Sequence, residues 1–210
     1  DLASANLDTV GVRIPNNITA LKLIKSFGKP LAAPSANTSS SISPTEANHV
    51  YEYFENDKNL SIILDGGSTQ IGLESTIINL DNNEIEILRH GGISEEELKE
   101  KFPQKIINIE QRTKKTIIAP GMLSKHYSPD VPLRINVKKA KKNELLIGFG
   151  PNYNAPNLSF EGSLVEAASN LFSFLAKYQK KYSKIAIAPI PNKGIGRAIN
   201  DRIKRATSKN

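Results

Sequence analysis

Residues 185–206, IAIAPIPNKGIGRAINDRIKRA, decide the fold class. The stretch opens on a short apolar run, 185–190, of the kind that makes a strand covered on both faces. Pro191-Asn-Lys-Gly-Ile-Gly196 then turns the chain into a basic helix ending near Ala206. Upstream, 163–181 reads as a long amphipathic helix, with Leu164, Ala167, Ala168, Leu171, Phe174, Leu175 and Tyr178 on one stripe. Two further strands are expected at 133–137 and 144–148. Strand, helix, strand, helix predicts a small three-layer α/β domain with a parallel pair.

Working outward, the first half also alternates strands and helices. Residues 8–14 (DTVGVRI) alternate like a strand and stop at Pro15. Asn17 can cap a helix over 18–27, which Gly28 ends. A short apolar strand is expected at 30–33. Ser43-Pro-Thr-Glu46 has the form of a capping box and predicts a helix to about Phe54. A strand at 62–64 closes on Asp65-Gly-Gly67. Residues 75–80 and 84–88 read as two strands joined by Asp81-Asn-Asn83, and Ser94 with Glu97 forms a second capping box. Pro103, Pro120, Gly121, Pro129 and Pro132 mark 104–132 as a linker. Within it, Pro120-Gly-Met-Leu-Ser-Lys-His-Tyr-Ser-Pro129 is too specific in composition for a passive spacer, and a loop covering a ligand is the other reading.

Composition bounds the function. The 210 residues are 39% hydrophobic and only 6% aromatic without Trp, so Ile, Leu, Val and Ala must fill the core. The absence of Cys excludes disulfides, thiolate metal sites and cysteine nucleophiles, and agrees with a reducing cytosol. No apolar run approaches the roughly 20 residues of a membrane span, so a soluble globular chain without a membrane partner is expected. The net charge of +7 is divided: residues 1–102 hold 8 Lys/Arg against 15 Asp/Glu, and 103–210 hold 20 against 6. A basic half points to a polyanion such as RNA or to a Lys-rich solvated surface. Asp1 is no translation start, which fits a processed N-terminus or a chain cut inside a domain.

Candidate polar groups follow strand ends: Thr9 and Arg13, Ser35 and Asn37, Ser43 at a helix start, Ser75 and Thr76 on a strand, and Arg89 at a strand end. No Ser-His-Asp spacing is visible, and the three histidines are too scattered for a metal site. His49 and His90 read as structural, and His126 beside Tyr127 is the histidine to watch. Hydroxyls, amides and two arginines suit phosphate and carboxylate binding. Each has a duller reading as turn residue, helix cap or surface cation.

Taken together, Thr9-Val-Gly-Val-Arg13-Ile-Pro15, Pro34-Ser-Ala-Asn37, Ser43-Pro-Thr45, Leu73-Glu-Ser-Thr76 and Ile87-Leu-Arg-His-Gly-Gly92 resemble the YrdC-like domain of L-threonylcarbamoyl-AMP synthases. The 120–129 segment resembles the linker of the two-domain members, and 188–206 resembles the end of their C-terminal domain. The resemblance implies an α/β (α+β) chain of three parts. Residues 1–103 would be the C-terminal part of a YrdC-like twisted-sheet catalytic domain. Residues 104–132 would be an interdomain linker or lid, and 133–210 a small Rossmann-like three-layer domain.

It also implies a nucleotidyltransferase that makes threonylcarbamoyl-AMP and pyrophosphate from L-threonine, bicarbonate and ATP, with Mg²⁺ on the phosphates. The product serves N6-threonylcarbamoyladenosine formation in tRNA, by a downstream tRNA threonylcarbamoyl transferase machinery in the cytoplasm. Carried over by position, Arg13, Ala33 and Ser75 would hold threonine, with Arg13 on its carboxylate. Thr9, Ser35, Ser43, Arg89 and Tyr127 would bind ATP, and Asn37 would support the same loop. No covalent enzyme intermediate is needed, so catalysis would be positioning and charge compensation. The family's N-terminal half of the domain, with its Lys/Arg phosphate motif, is expected to be missing from this chain. An inactive remnant and a module binding tRNA or double-stranded RNA through Arg197, Arg202, Lys204 and Arg205 are the alternatives.

Overall fold

The computed structural model describes residues 4, 6–39, 41–81, 84–108 and 127–207. The chain is mixed α/β, and it divides into two compact units: Asp1–Thr38 with Ser43–Thr69, and Ser39–Ile42 with Gln70–Asn210.

In the first unit, α1 spans Ile18–Phe27, where the sequence places it. Asn17 Oδ1 accepts from Ala20 N at 3.0 Å, and Gly28 ends the helix with a left-handed φ of 72°. The Asn17 amide also donates to Gly66 O at 3.0 Å, which anchors the helix start on the 65–67 turn. Helix α2 covers Ala47–Phe54 and starts later than the Ser43 capping box predicts. Its N-cap is Glu46, which makes no side-chain cap bond; His49 Nδ1 instead accepts from Thr45 N at 3.3 Å.

The strands expected at 8–14, 30–33 and 62–64 do not form. Alternation supplies the apolar side chains of a strand, but among the described residues no neighbouring strand supplies the ladder. The side chains therefore stay in water: Val12 is 88% exposed, Ile14 90% and Ile62 73%. Helix α1 likewise buries none of its residues.

The second unit contains both sheets. Strands β1 (Ile77–Asp81) and β2 (Glu84–Arg89) form the expected antiparallel hairpin, and β3 (Ile106–Asn108) lies parallel to β2 on its other side. Strand β3 falls in the stretch read as linker. Helix α3, Glu95–Lys101, begins with the complete Ser94/Glu97 capping box. The second sheet is wholly parallel, in the order β4 (Leu133–Arg134), β6 (Ile185–Ile187), β5 (Leu145–Ile147). Asn136, at φ 57°, leaves strand geometry and stops β4 short of the expected Val137.

Helices α4 (Leu164–Gln179) and α5 (Gly196–Ala206) complete this sheet region. Ser163 caps α4, accepting from Glu166 N. Ala167, Ala168, Leu171 and Leu175 of its stripe are buried as predicted, and Phe172 is buried where Phe174 is only partly so. The core runs from Ile147, Ile185 and Ile187 through Leu171 and Leu175 to Ile199 and Ile203. No helix among the described residues is long and apolar enough to cross a membrane.

Candidate functional site

Ser75 and Thr76 do not lie on the strand as expected; β1 begins two residues later, at Ile77. The reason is that their polar groups are engaged by the far end of the hairpin. Arg89, the last residue of β2, turns its guanidinium back onto Ser75, with Nε and Nη2 donating to Ser75 O at 3.2 and 2.8 Å. Thr76 Oγ1 donates to Ile93 O at 2.5 Å and accepts from Ile93 N at 3.1 Å. Gly92 N donates to Glu74 O at 3.1 Å.

The two segments, 74–76 and 89–93, are thus laced along their length. Gly91 makes that approach possible. A Cβ there would stand 2.3 Å from both Glu74 O and Thr76 N, a distance at which backbone must move. The result is a short ledge with the Ser75 side chain exposed and the Arg89 cation beside it. A hydroxyl next to a guanidinium can hold an anion or a carboxylate.

Beneath the ledge lies Arg202 of α5, which is 0% exposed. Its Nε donates to Glu74 Oε2 at 2.7 Å, Nη1 to Asp201 Oδ2 at 2.7 Å, and Nη2 to His90 O at 3.0 Å. Burial by itself would lower the Arg202 pKa, but Glu74, Tyr127 and Asp201 more than offset it, so the guanidinium is held above its ordinary value. Tyr127 is also fully buried. One side of its ring stacks on Phe172, centroids 5.5 Å apart, and the Arg202 guanidinium stands 5.2 Å from the ring centre. Burial first, with Glu74 adding to it against the opposing charges of Arg202 and Arg89, pushes the Tyr127 phenol up to about 12. Tyr127 is therefore a neutral phenol at any physiological pH.

The segment entering the ledge is clamped too. Gly72 has a φ of 72°, and a Cβ there would meet Ala168 O of α4 at 2.6 Å. On the other flank, Arg197 Nη1 pairs with Glu96 Oε1 at 2.5 Å, and this contact, ahead of its other partners, lowers the Glu96 pKa.

Of the residues expected to bind ligand, Ser75, Arg89 and Tyr127 belong to this unit, and the first two touch. Thr9, Arg13, Ala33, Ser35, Asn37 and Ser43 belong to the other. There Thr9, Arg13, Ala33 and Ser35 are exposed, while Asn37 and Ser43 are half-buried; the Asn37 amide donates to Thr38 O at 3.1 Å. His126 lies outside the described residues, as does most of the 104–132 segment. Arg202 and Glu74 were missed as site residues. A detectable signal existed, because Arg202 shares an i, i+3, i+4, i+7 stripe with Ile199, Ile203 and Ala206, so α5 carries its arginine on the apolar face. Among the described residues no group of three His, Asp or Glu could hold a metal ion.

Two family models cover the chain. One, described as "Telomere recombination", matches residues 1–91, and one, described as "Threonylcarbamoyl-AMP synthase, C-terminal domain", matches 93–208. The threonylcarbamoyl-AMP synthase of Pyrococcus abyssi (strain GE5 / Orsay) is 34% identical over 97% of this chain and 65% of its own length. That of Bacillus subtilis (strain 168) is 30% identical over 97% of this chain and 64% of its own. The crystal structure of P. abyssi Sua5 complexed with L-threonine superposes with a TM-score of 0.83 at 33% identity, covering 98% of this chain and 66% of that one. The chain thus spans somewhat less than two-thirds of the length of these relatives.

Proposed function

Since the chain belongs to the threonylcarbamoyl-AMP synthase family, we propose that it carries part of an L-threonylcarbamoyladenylate synthase site. The reaction joins L-threonine, bicarbonate and ATP to give threonylcarbamoyl-AMP, pyrophosphate and water. The product's own bonds dictate the chemistry. The threonine amine forms the bond to the carbon of bicarbonate, with loss of water. A carbamate oxygen forms the bond to the α-phosphorus, and the β,γ-diphosphate leaves.

Every reactant carries an anionic group, so the protein's part is to hold those groups together and compensate charge. Arg89 is assigned to the ATP phosphates, with Thr9, Ser35, Ser43 and Tyr127 on the same nucleotide and Asn37 supporting its loop. Arg13, Ala33 and Ser75 are assigned to threonine. The observation that carries this reading is the Arg89–Ser75 contact, 2.8 Å at its shorter arm, which sets a phosphate-binding cation against the residue assigned to threonine.

Mg²⁺ would enter with the ATP phosphates and add to the charge compensation there. The product would serve N6-threonylcarbamoyladenosine formation in tRNA by a transferase machinery in the cytoplasm. The arrangement of α5 does not favour the RNA-module reading. Arg197, Arg202 and Arg205 are paired with Glu96, with Glu74 and Asp201, and with Asp201, respectively, and only Lys204 of that set is exposed.

The test is equilibrium binding of ATP and of threonine to the chain by calorimetry, with mass-spectrometric detection of threonylcarbamoyl-AMP in the complete reaction mixture. Arg89→Ala is expected to weaken ATP binding about tenfold or more, the weight of one charge-assisted contact. Wild-type protein that binds neither ATP nor threonine overturns the reading.

A further inference from the structure

We propose that Arg202 is the positioning residue of the Ser75/Arg89 ledge, so that the C-terminal helix α5 sets the geometry of the ligand-binding groups without touching ligand. The inference rests on the reading of that ledge as the threonine and ATP site.

Where the three donor arms of Arg202 go carries the argument. One arm ends on the carboxylate of Glu74, the residue before Ser75, and another on the carbonyl of His90, the residue after Arg89. Arg202 therefore bridges the two segments one residue away from each assigned group. The Arg89 guanidinium bridges the same two segments through Ser75 O. The third arm goes to Asp201, which also accepts from Arg205 Nε at 2.9 Å, so the guanidinium is oriented from its own helix. The guanidinium stands over the Tyr127 ring, and Phe172 stacks on Tyr127.

A buried cation is a poor device for stability alone, because apolar side chains of similar volume generally do as well or better. What it offers is direction. A planar fork can satisfy acceptors on separate segments only when they stand in one arrangement, and an ammonium cannot reproduce this. With both flanking residues pinned, the Ser75 side chain and the Arg89 guanidinium keep one spacing. That spacing is what a site joining a carboxylate-bearing ligand to a phosphate-bearing one requires.

The experiment compares wild type, Arg202→Lys and Arg202→Met in the full chain. Hydrogen–deuterium exchange is read at the Gly92 and Ile93 amides, which donate to Glu74 O and Thr76 Oγ1, and at Ile185, which donates to Pro132 O in the parallel sheet region. ATP and threonine affinities are measured beside it. In Arg202→Met, exchange at Gly92 and Ile93 is expected to rise at least tenfold more than at Ile185, whose rise reads the global loss of stability, and ATP affinity is expected to fall at least tenfold. Arg202→Lys, which keeps the charge and loses the fork, is expected to fall between the two.

Equal acceleration at all three amides would make Arg202 a general stabiliser, and unchanged exchange at Gly92 and Ile93 would mean the ledge holds itself. Either result overturns the proposal. Selective loosening of the ledge with unaltered affinities overturns it as well. A wild-type protein that binds neither ligand overturns the assignment of the ledge instead, and the exchange pattern still decides whether Arg202 pins it.

Discussion

Glu74 and Arg202 lie 128 positions apart and meet at 2.7 Å, with the arginine fully buried and the carboxylate half-buried. Removing one partner strands the other's charge away from water. Glu74→Gln is expected to lower the unfolding free energy by on the order of 3 kcal/mol, read from urea denaturation. The double variant Glu74→Leu/Arg202→Met should lose clearly less than the sum of the two single changes, because no charge is left unpaired. Additive losses would mean the two groups do not interact in solution.

Gly91→Ala places a methyl where Glu74 O and Thr76 N already stand. The 74–76 and 89–93 segments must separate to admit it. The expected outcome is a protein whose α-helical circular dichroism is retained but whose ATP and threonine binding are each weakened at least tenfold. Wild-type affinity in this variant would show that close approach of the two segments is dispensable.

Leu175 has no exposed surface and packs in the core around β6. Leu175→Ala should cost about 2–5 kcal/mol, according to how far the cavity collapses. Thermal denaturation checks the loss, and a shift within the error of wild type would place this core elsewhere.

Acid sensitivity is expected from Glu144. The Arg134 side chain holds it by two bonds of 2.7 and 2.6 Å, and this contact, ahead of the Lys141 backbone bond, brings its pKa down to about 2. A folded-state pKa below the ordinary carboxyl value contributes stability that is complete above that value and lost as pH falls toward 2. The urea midpoint, read by circular dichroism, should therefore fall as pH is lowered from about 4.5 to 2. In Arg134→Met the stabilisation is absent at neutral pH already, and the difference between the two proteins should vanish near pH 2. A difference that persists unchanged to pH 2 would assign the effect to packing.

Elements with local signals were legible in the sequence. Helix α1 has Asn17 and Gly28 at its ends, α3 its capping box, and α4 its stripe after Ser163, and each forms where those signals lie. The β1–β2 hairpin follows from its turn, and β6 from its apolar run. The segments around Val12, Leu31 and Ile62 carry equally good strand patterns and form none, because a strand is completed by a partner that its own residues cannot supply.

At the site, Arg89 and Ser75 stand out by strand position and family resemblance assigns their ligands, but the Ser75 group that Arg89 engages is the backbone carbonyl, which no side-chain pattern announces. By charge alone, Arg202 belongs to a basic helix surface. Its burial follows from its place between Ile199 and Ile203, a matter of helix phase rather than charge.

The order β4-β6-β5 sets a sequence of events during synthesis. The middle strand is the last of the three to be made, and both neighbours pair with its Ile185. Until the nascent chain has delivered 185–187, the flanking strands have no ladder and the apolar stripe of α4 has no finished sheet to cover. This region should therefore assemble late and in one step, with the slow closure typical of distant parallel contacts, and a chain stalled before β6 presents that stripe to chaperones.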